Sequence, residues 1–180
     1  VDGQHIATQY QTEIGQDIMV DGQKKAEHQI DILMENMGRV NYGHKLLAET
    51  QQKGIRTGVC KDLHFLLDWQ HYPLPLDHPE KIDFSKGWQE NQPAFYAFDF
   101  KMKALKDTYL DLSDFGKGVV FVNGVSIGRF WNVGPILSLY IPHSLLREGD
   151  NRIIIFETEG ICSETIHLVN QPTFKTIKGE

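Results

Sequence analysis

Apolar residues in this chain come in short runs. Some alternate with polar residues and others stand unbroken for four or five positions, as half-buried and fully buried β-strands do. Gln29-Ile30-Asp31-Ile32-Leu33-Met34 reads as a strand, and Ala94-Phe95-Tyr96-Ala97-Phe98-Asp99-Phe100 as another with aromatics on one side. Thr108-Tyr109-Leu110-Asp111-Leu112 and Leu137-Ser138-Leu139-Tyr140-Ile141 alternate, the latter stopping at Pro142. Val119-Val120-Phe121-Val122 is a buried strand closed by the turn Asn123-Gly124. Arg152-Ile153-Ile154-Ile155-Phe156-Glu157 is rich in β-branched residues, as a strand packed on both faces would be, and Thr165-Ile166-His167-Leu168-Val169 is a last strand. Helical signals are weak: one turn over 144–147, ended by Gly149, and a turn or two over 45–52. Many short strands with frequent turn signals predict an all-β sandwich or jelly roll.

The pattern also repeats. Val1-Asp2-Gly3-x-x-Ile6-Ala7 matches Val122-Asn123-Gly124-x-x-Ile127-Gly128 at an offset of 121 residues, and His28-Gln29-Ile30-Asp31-Ile32-Leu33 matches Asn151-Arg152-Ile153-Ile154-Ile155-Phe156 at an offset of 123. Such near-equal spacing points to a duplicated unit. Residues 93–121 supply strands ahead of the second Val-Asn-Gly turn, while nothing precedes the first, so the first sandwich is expected to lack its opening strands and leave sheet edges open. The expected division is a partial first β-domain over 1–70, an ordered crossing segment over 71–92 and a second sandwich over 93–180. Trp69, Tyr72, Phe84 and Trp88 give the crossing segment too much aromatic surface to leave in water.

Composition narrows the partners. A net charge of −6 argues against nucleic acid or an anionic membrane, and no apolar run reaches the roughly 20 residues needed to span a bilayer. Cys60 and Cys162 lack a partner pattern and read as two reduced thiols. His64, His71 and His78 recur every seven residues, but the prolines among them exclude a single helix, so no metal and no cofactor is expected. The cytoplasm is the expected compartment.

Two stretches could carry chemistry. Glu35-Asn36-Met37-Gly38-Arg39-Val40-Asn41-Tyr42-Gly43 follows a strand and reads either as a binding edge or as a turn in which Asn36 and Asn41 cap and Arg39 pairs with Glu35. Gly128-Arg129-Phe130-Trp131-Asn132-Val133-Gly134-Pro135 sets aromatics beside an arginine, either as a sugar platform or as a plug with Trp131 at the sandwich end and the Arg129 stem over it. Packing is the expectation here.

At these two stretches the chain resembles the C-terminal β-domains of glycoside hydrolase family 35 β-galactosidases. Pro93-Ala94-Phe95-Tyr96, the run from Leu110-Asp111-Leu112 to Gly116-Lys117-Gly118, and residues 137–142 followed by Leu145-Leu146 are similar to that family too, so the resemblance spans nearly the whole chain. It implies two jelly-roll units of galactose-binding-like fold following an N-terminal (β/α)8 barrel that removes terminal β-linked galactose with retention. That chemistry needs two carboxyl groups roughly 5 Å apart, and in the family both are glutamates of the barrel. No catalytic residue is therefore expected here, and the region alone should be inactive. Glu35, Glu157, Glu159 and Glu164 are expected to be solvated or salt-bridged rather than catalytic.

Tyr42 matches a family position at the mouth of the galactose pocket, which implies a substrate contact in the parent enzyme with Asn36, Arg39 and Asn41 shaping the loop. Arg129, Phe130 and Trp131 are signature residues of the second unit, with packing and docking roles. Asp111 and Asp114 are of the type that could hold a structural Ca²⁺, but turn roles are expected. The implied partners are the barrel of the same polypeptide and a β-galactoside substrate, and the assembly the reading admits is a homodimer. The rival readings are an independent carbohydrate-binding module and a protein-interaction domain.

Overall fold

The β-branched run near residue 153 becomes the strand on which the second unit is built, because it can pair on both edges and bury both faces. In this computed structural model, which describes residues 1–10, 13, 16–20, 27–36, 54–55, 57–88 and 90–176, the chain packs as two units. One comprises residues 1–6 and 15–75 and the other residues 7–14 and 76–180. Residues 7–14 and 76–92 thus belong with the second unit, a grouping that the linear division at 70 and 92 does not contain.

The second unit holds two antiparallel sheets. The four-stranded sheet has the order β3-β8-β5-β6, from β3 (Ala94–Met102), β8 (Gly149–Glu157), β5 (Lys117–Val122) and β6 (Val125–Trp131). The three-stranded sheet has the order β7-β4-β9, from β7 (Ser138–Ile141), β4 (Thr108–Asp111) and β9 (His167–Val169). β8 pairs with β3 from Ala94↔Glu157 to Met102↔Gly149 and with β5 from Gly118↔Glu157 to Val122↔Ile153. Ile153, Ile154 and Ile155 are accordingly all buried.

The core lies between the sheets. Leu110, Leu112 and Ile141 meet Val120, Val122, Phe130, Ile153 and Ile155, with Phe115 and Leu146 filling the ends. Each such side chain contributes about 1.5–3 kcal/mol on leaving water. In place of the expected helical turn over 144–147, a 3-10 turn spans His143–Leu145. β6 has no counterpart in the sequence reading: Ser126, Gly128 and Arg129 break its apolar alternation, and its register with β5 shifts between Val120 and Phe121. Among the described residues no helix is long and apolar enough to cross a membrane.

The first unit contains a short hairpin, β1 (Cys60–Lys61) with β2 (His64–Phe65), turning through Asp62 and Leu63 at φ 48° and 68°. The strand expected over 29–34 joins no ladder among the described residues. Ile30, Ile32, Leu33 and Met34 are all exposed, so neither face of the run is covered as an alternating strand requires.

The repeat reappears in atomic detail. In the second unit Asn123 and Gly124 take φ 48° and 87°, and in the first Asp2 and Gly3 take φ 52° and 78°. Both pairs form the left-handed two-residue turn that suits Asx-Gly. Each turn is then bolted to its matching strand segment by the same two bonds. The Asn123 N–H donates to the Arg152 carbonyl (2.9 Å) and the Arg152 N–H to Asn123 Oδ1 (3.0 Å). The Asp2 N–H donates to the Gln29 carbonyl (2.9 Å) and the Gln29 N–H to Asp2 Oδ1 (3.0 Å). A third contact also corresponds, Asn123 Nδ2 to Asn151 Oδ1 and His28 Nδ1 to Asp2 Oδ2, each at 2.9 Å.

Asn123 also donates to the Leu145 carbonyl at 2.7 Å. Replacing it with Ala removes these side-chain bonds and leaves a Cβ-bearing residue in the left-handed region without local compensation. Asn123→Ala should cost about 2–3 kcal/mol in urea unfolding, and Asn123→Gly, which relieves the backbone, about 1–2 kcal/mol. Equal costs for the two would show that the turn's conformation is not what the side chain secures.

Candidate functional site

Tyr42, Arg39 and Asn41 lie outside the described residues, so the loop that the sequence singles out is represented only by Asn36, exposed, and the half-buried Glu35. The second signature is fully described. Along β6 successive side chains point to opposite faces. Phe130 is buried in the core, edge-on to Phe115 at 6.2 Å, while Arg129 is exposed and Trp131 half-buried on the other face.

Trp131 stands at the end of β6 opposite Lys117, the first residue of β5. Lys117 is buried, with its ammonium nitrogen 5.1 Å from the Trp131 ring centre and 5.3 Å from that of Tyr10. The Tyr10 ring lies 5.5 Å from that of Trp131 at 31°, and its hydroxyl donates to Glu159 Oε1. Burial, reinforced by the bond to Glu159 and its charge, pushes the Tyr10 phenol up to about 12. The segment is fixed locally by Glu13: the Tyr10 N–H donates to Glu13 Oε2 at 2.7 Å, and the Glu13 N–H to the Tyr10 carbonyl at 2.8 Å.

Glu157 holds the floor beneath this cluster. Its side chain has no exposed surface, contrary to the solvated or salt-bridged role expected for it. One oxygen accepts from the Lys117 N–H (3.0 Å), and the other from the N–H groups of Glu159 (3.0 Å), Gly160 and Ile161 (3.1 Å). With both oxygens occupied by backbone donors, this carboxyl is an anchor rather than an acid or base. Gly116 is required beside it, because a Cβ there would stand 2.7 Å from Glu157 Oε1 and 2.9 Å from Glu159 Oε2. The same loop also contributes Gly160 and Ile161 to an open cleft of about 300 Å³ lined by Trp88, Glu90, Asn91, Cys162 and Glu164.

Sequence reasoning found Trp131 but not Tyr10, Lys117, Glu157 or Glu159 as its neighbours. Tyr10 is more than a hundred positions away, and its segment carries no strand or motif signal. Gly116-Lys117-Gly118 was the available hint, since glycines flanking a lysine at a strand start mark close backbone approach. Asp111 accepts from the Ser113 N–H at 3.0 Å and from the Ser113 hydroxyl, a turn role. Among the described residues no group of three or more His, Cys, Asp or Glu is placed to hold a metal ion.

Comparison with known proteins identifies the two units. Residues 1–75 match the family described as "Beta-galactosidase, first all-beta domain", and residues 93–151 match "Beta-galactosidase, galactose-binding domain". This chain belongs to the all-β domains of the β-galactosidase family. Beta-galactosidase 1 of Dictyostelium discoideum is 38% identical over 157 residues, covering 79% of this chain and 22% of that protein. Beta-galactosidase 17 of Arabidopsis thaliana is 36% identical over 149 residues (71% and 21%), and a β-galactosidase of Xanthomonas manihotis 39% over 121 (67% and 20%). The chain thus spans 20% to 22% of the length of these relatives.

The anchor in these β-galactosidase domains has a pH signature. Burial outweighs the four backbone bonds and holds the Glu157 carboxyl above the ordinary value of 4.5. A group raised in the folded state contributes stability that is fully present below pH 4.5 and is lost as pH rises through the folded value. Wild type should therefore lose stability relative to Glu157→Gln as pH climbs from 4.5, measured by urea unfolding at a series of pH values. A difference that stays constant across that window would remove Glu157 as its source.

Proposed function

We propose that this region is the non-catalytic β-domain portion of a retaining β-galactosidase. In this reading it braces a (β/α)8 barrel that carries both catalytic glutamates and lends that barrel's galactose pocket one loop. The observation that carries the reading is the ordered pair of domain matches in a chain spanning about a fifth of its relatives, each of which is named a β-galactosidase. In this reading Glu157, fully buried with both carboxyl oxygens bonded to backbone N–H groups, is a structural residue.

Within this reading Tyr42 reaches the pocket mouth, and Asn36, Arg39 and Asn41 shape its loop. The support is the motif over 35–43 and its place in the first all-β domain. In the full-length enzyme Tyr42→Phe should lower kcat/KM on a β-galactoside several-fold if the hydroxyl bonds to substrate, and Tyr42→Ala by about 10²-fold through lost positioning. Unchanged kinetics in both variants would exclude the contact. The 180 residues alone should show no hydrolysis.

An independent carbohydrate-binding module would need an exposed aromatic platform. Trp131, the candidate for one, is half-buried under Tyr10.

A further inference from the structure

We propose that Asn123 is a deamidation site gated by folding. Its side-chain amide is kept while the β5–β6 turn is closed and is lost when the turn opens. The carboxylate that replaces it is one the closed turn cannot accommodate. Asn123-Gly124 is the only Asn-Gly pair in the sequence, and the inference is independent of the bracing role.

Asparagine is a thermolabile residue, and a following glycine leaves the approach to its side chain unobstructed. The Gly124 nitrogen gives up its proton and attacks Asn123 Cγ, forming a C–N bond. The Cγ–Nδ2 bond breaks, and Nδ2 leaves as ammonia with that proton. Water then opens the succinimide at either carbonyl, giving aspartate or its isopeptide-linked isomer, with no oxidant or reductant. The closed turn opposes the first step, because the ring closes only if the backbone at Asn123 rotates out of the left-handed turn, where φ is 48°. Oδ1 is held by the Arg152 N–H (3.0 Å), and Nδ2 by the Leu145 carbonyl (2.7 Å) and Asn151 Oδ1 (2.9 Å). The Asn123 N–H donates to the Arg152 carbonyl at 2.9 Å. These bonds stand against ring closure in the fold and are absent once the turn opens.

The product does not fit the site it leaves. Deamidation sets a carboxylate oxygen where Nδ2 donates to two acceptors. Asn151 cannot turn its amide over to compensate, because it is buried and both ends are committed. Its Oδ1 also accepts from the Arg147 N–H (2.8 Å), and its Nδ2 donates to the carbonyls of Arg147 (2.7 Å) and Gly149 (3.0 Å). The first copy of the repeat is the internal comparison. Asp2 holds the corresponding turn position at φ 52° with the same two backbone bonds. Its second oxygen, however, faces His28 Nδ1 at 2.9 Å, a ring nitrogen able to donate. Each Asx is thus matched to its partner. Deamidation gives the second copy the acid of the first without the histidine that accommodates it.

The test is incubation of the 180-residue chain in mildly alkaline buffer, with and without unfolding urea, and peptide mass mapping of deamidation at Asn123. The folded chain should react at least about tenfold more slowly than the unfolded one. Asn151→Ala, which removes an acceptor but keeps Asn-Gly, should react several-fold faster than wild type in native buffer. Asn123→Asp, the product, should lose at least about tenfold in its folded-to-unfolded ratio in urea titration. Failure of Asn123→Asp to fold while Asn123→Gly folds is the same result in stronger form. Equal rates in folded and unfolded chains overturn the gate, and an Asn123→Asp unfolding curve that superposes on wild type overturns the mismatch. Should Asn151→Ala not fold, the wild-type rates and Asn123→Asp decide.

Discussion

The second unit depends on one buried carboxyl group. Glu157 ends the central strand β8, where Ala94 and Gly118 are its partners on either side, and it has no exposed surface. A carboxyl in that position is costly unless its oxygens are satisfied. Four backbone N–H groups do this, one from the start of β5 and three from the loop after β8. Two chain segments more than forty residues apart are thereby fixed to one side chain, and the loop that carries Glu159 is shaped by the requirement to supply three of those donors. Gly116 follows from the same constraint, since both carboxylates crowd the space where a Cβ would go.

Much of the sandwich was legible in the sequence because its strands are buried in the ordinary way. The runs at 94–100, 108–112, 119–122 and 152–157 are apolar or alternating, and each falls within or overlaps a strand. β6 was not legible. It lies at the edge of its sheet, and one glycine and two polar residues interrupt its pattern, so ladder bonds rather than buried side chains define it. The run at 29–34 shows the opposite case. Its alternation is strong, but a strand is a relation between two segments, and among the described residues no ladder partner reaches it. Glu157 escaped for a further reason: nothing in a local window distinguishes a glutamate that will be solvated from one that three following N–H groups will enclose.

The repeat was the most informative long-range signal. Two short matches at offsets of 121 and 123 residues pointed to duplication. The structure returns the same pair of backbone-to-Asx bonds at both places, with distances of 2.9 and 3.0 Å in each. A turn that demands positive φ at two consecutive positions selects Asx-Gly, and the Asx side chain then reaches the matching strand segment. The sequence identity of the turn and the bond it makes are therefore one constraint, which explains why so short a motif survives in both units while the residues between them differ.

The same offset bears on the contact between Tyr10 and Trp131. Tyr10 stands 121 positions before Trp131, the spacing that separates Val1 from Val122. The two aromatic residues that meet at 5.5 Å are thus corresponding positions of the two copies. In each copy this position comes nine residues after the start of the Val-Asx-Gly turn. In the second copy it ends β6 and presents an indole to the outer face; in the first it belongs to a segment grouped with the second unit, where its ring covers that indole. A duplicated edge would carry two equivalent aromatic rims, and one way to bury both is to stack them on each other. That geometry explains why an indole at the end of a signature motif is half-buried in a unit whose fold is named for binding a sugar. Fold and site are separable, and here the indole that ends β6 is spent on packing against Tyr10 rather than left open to solvent.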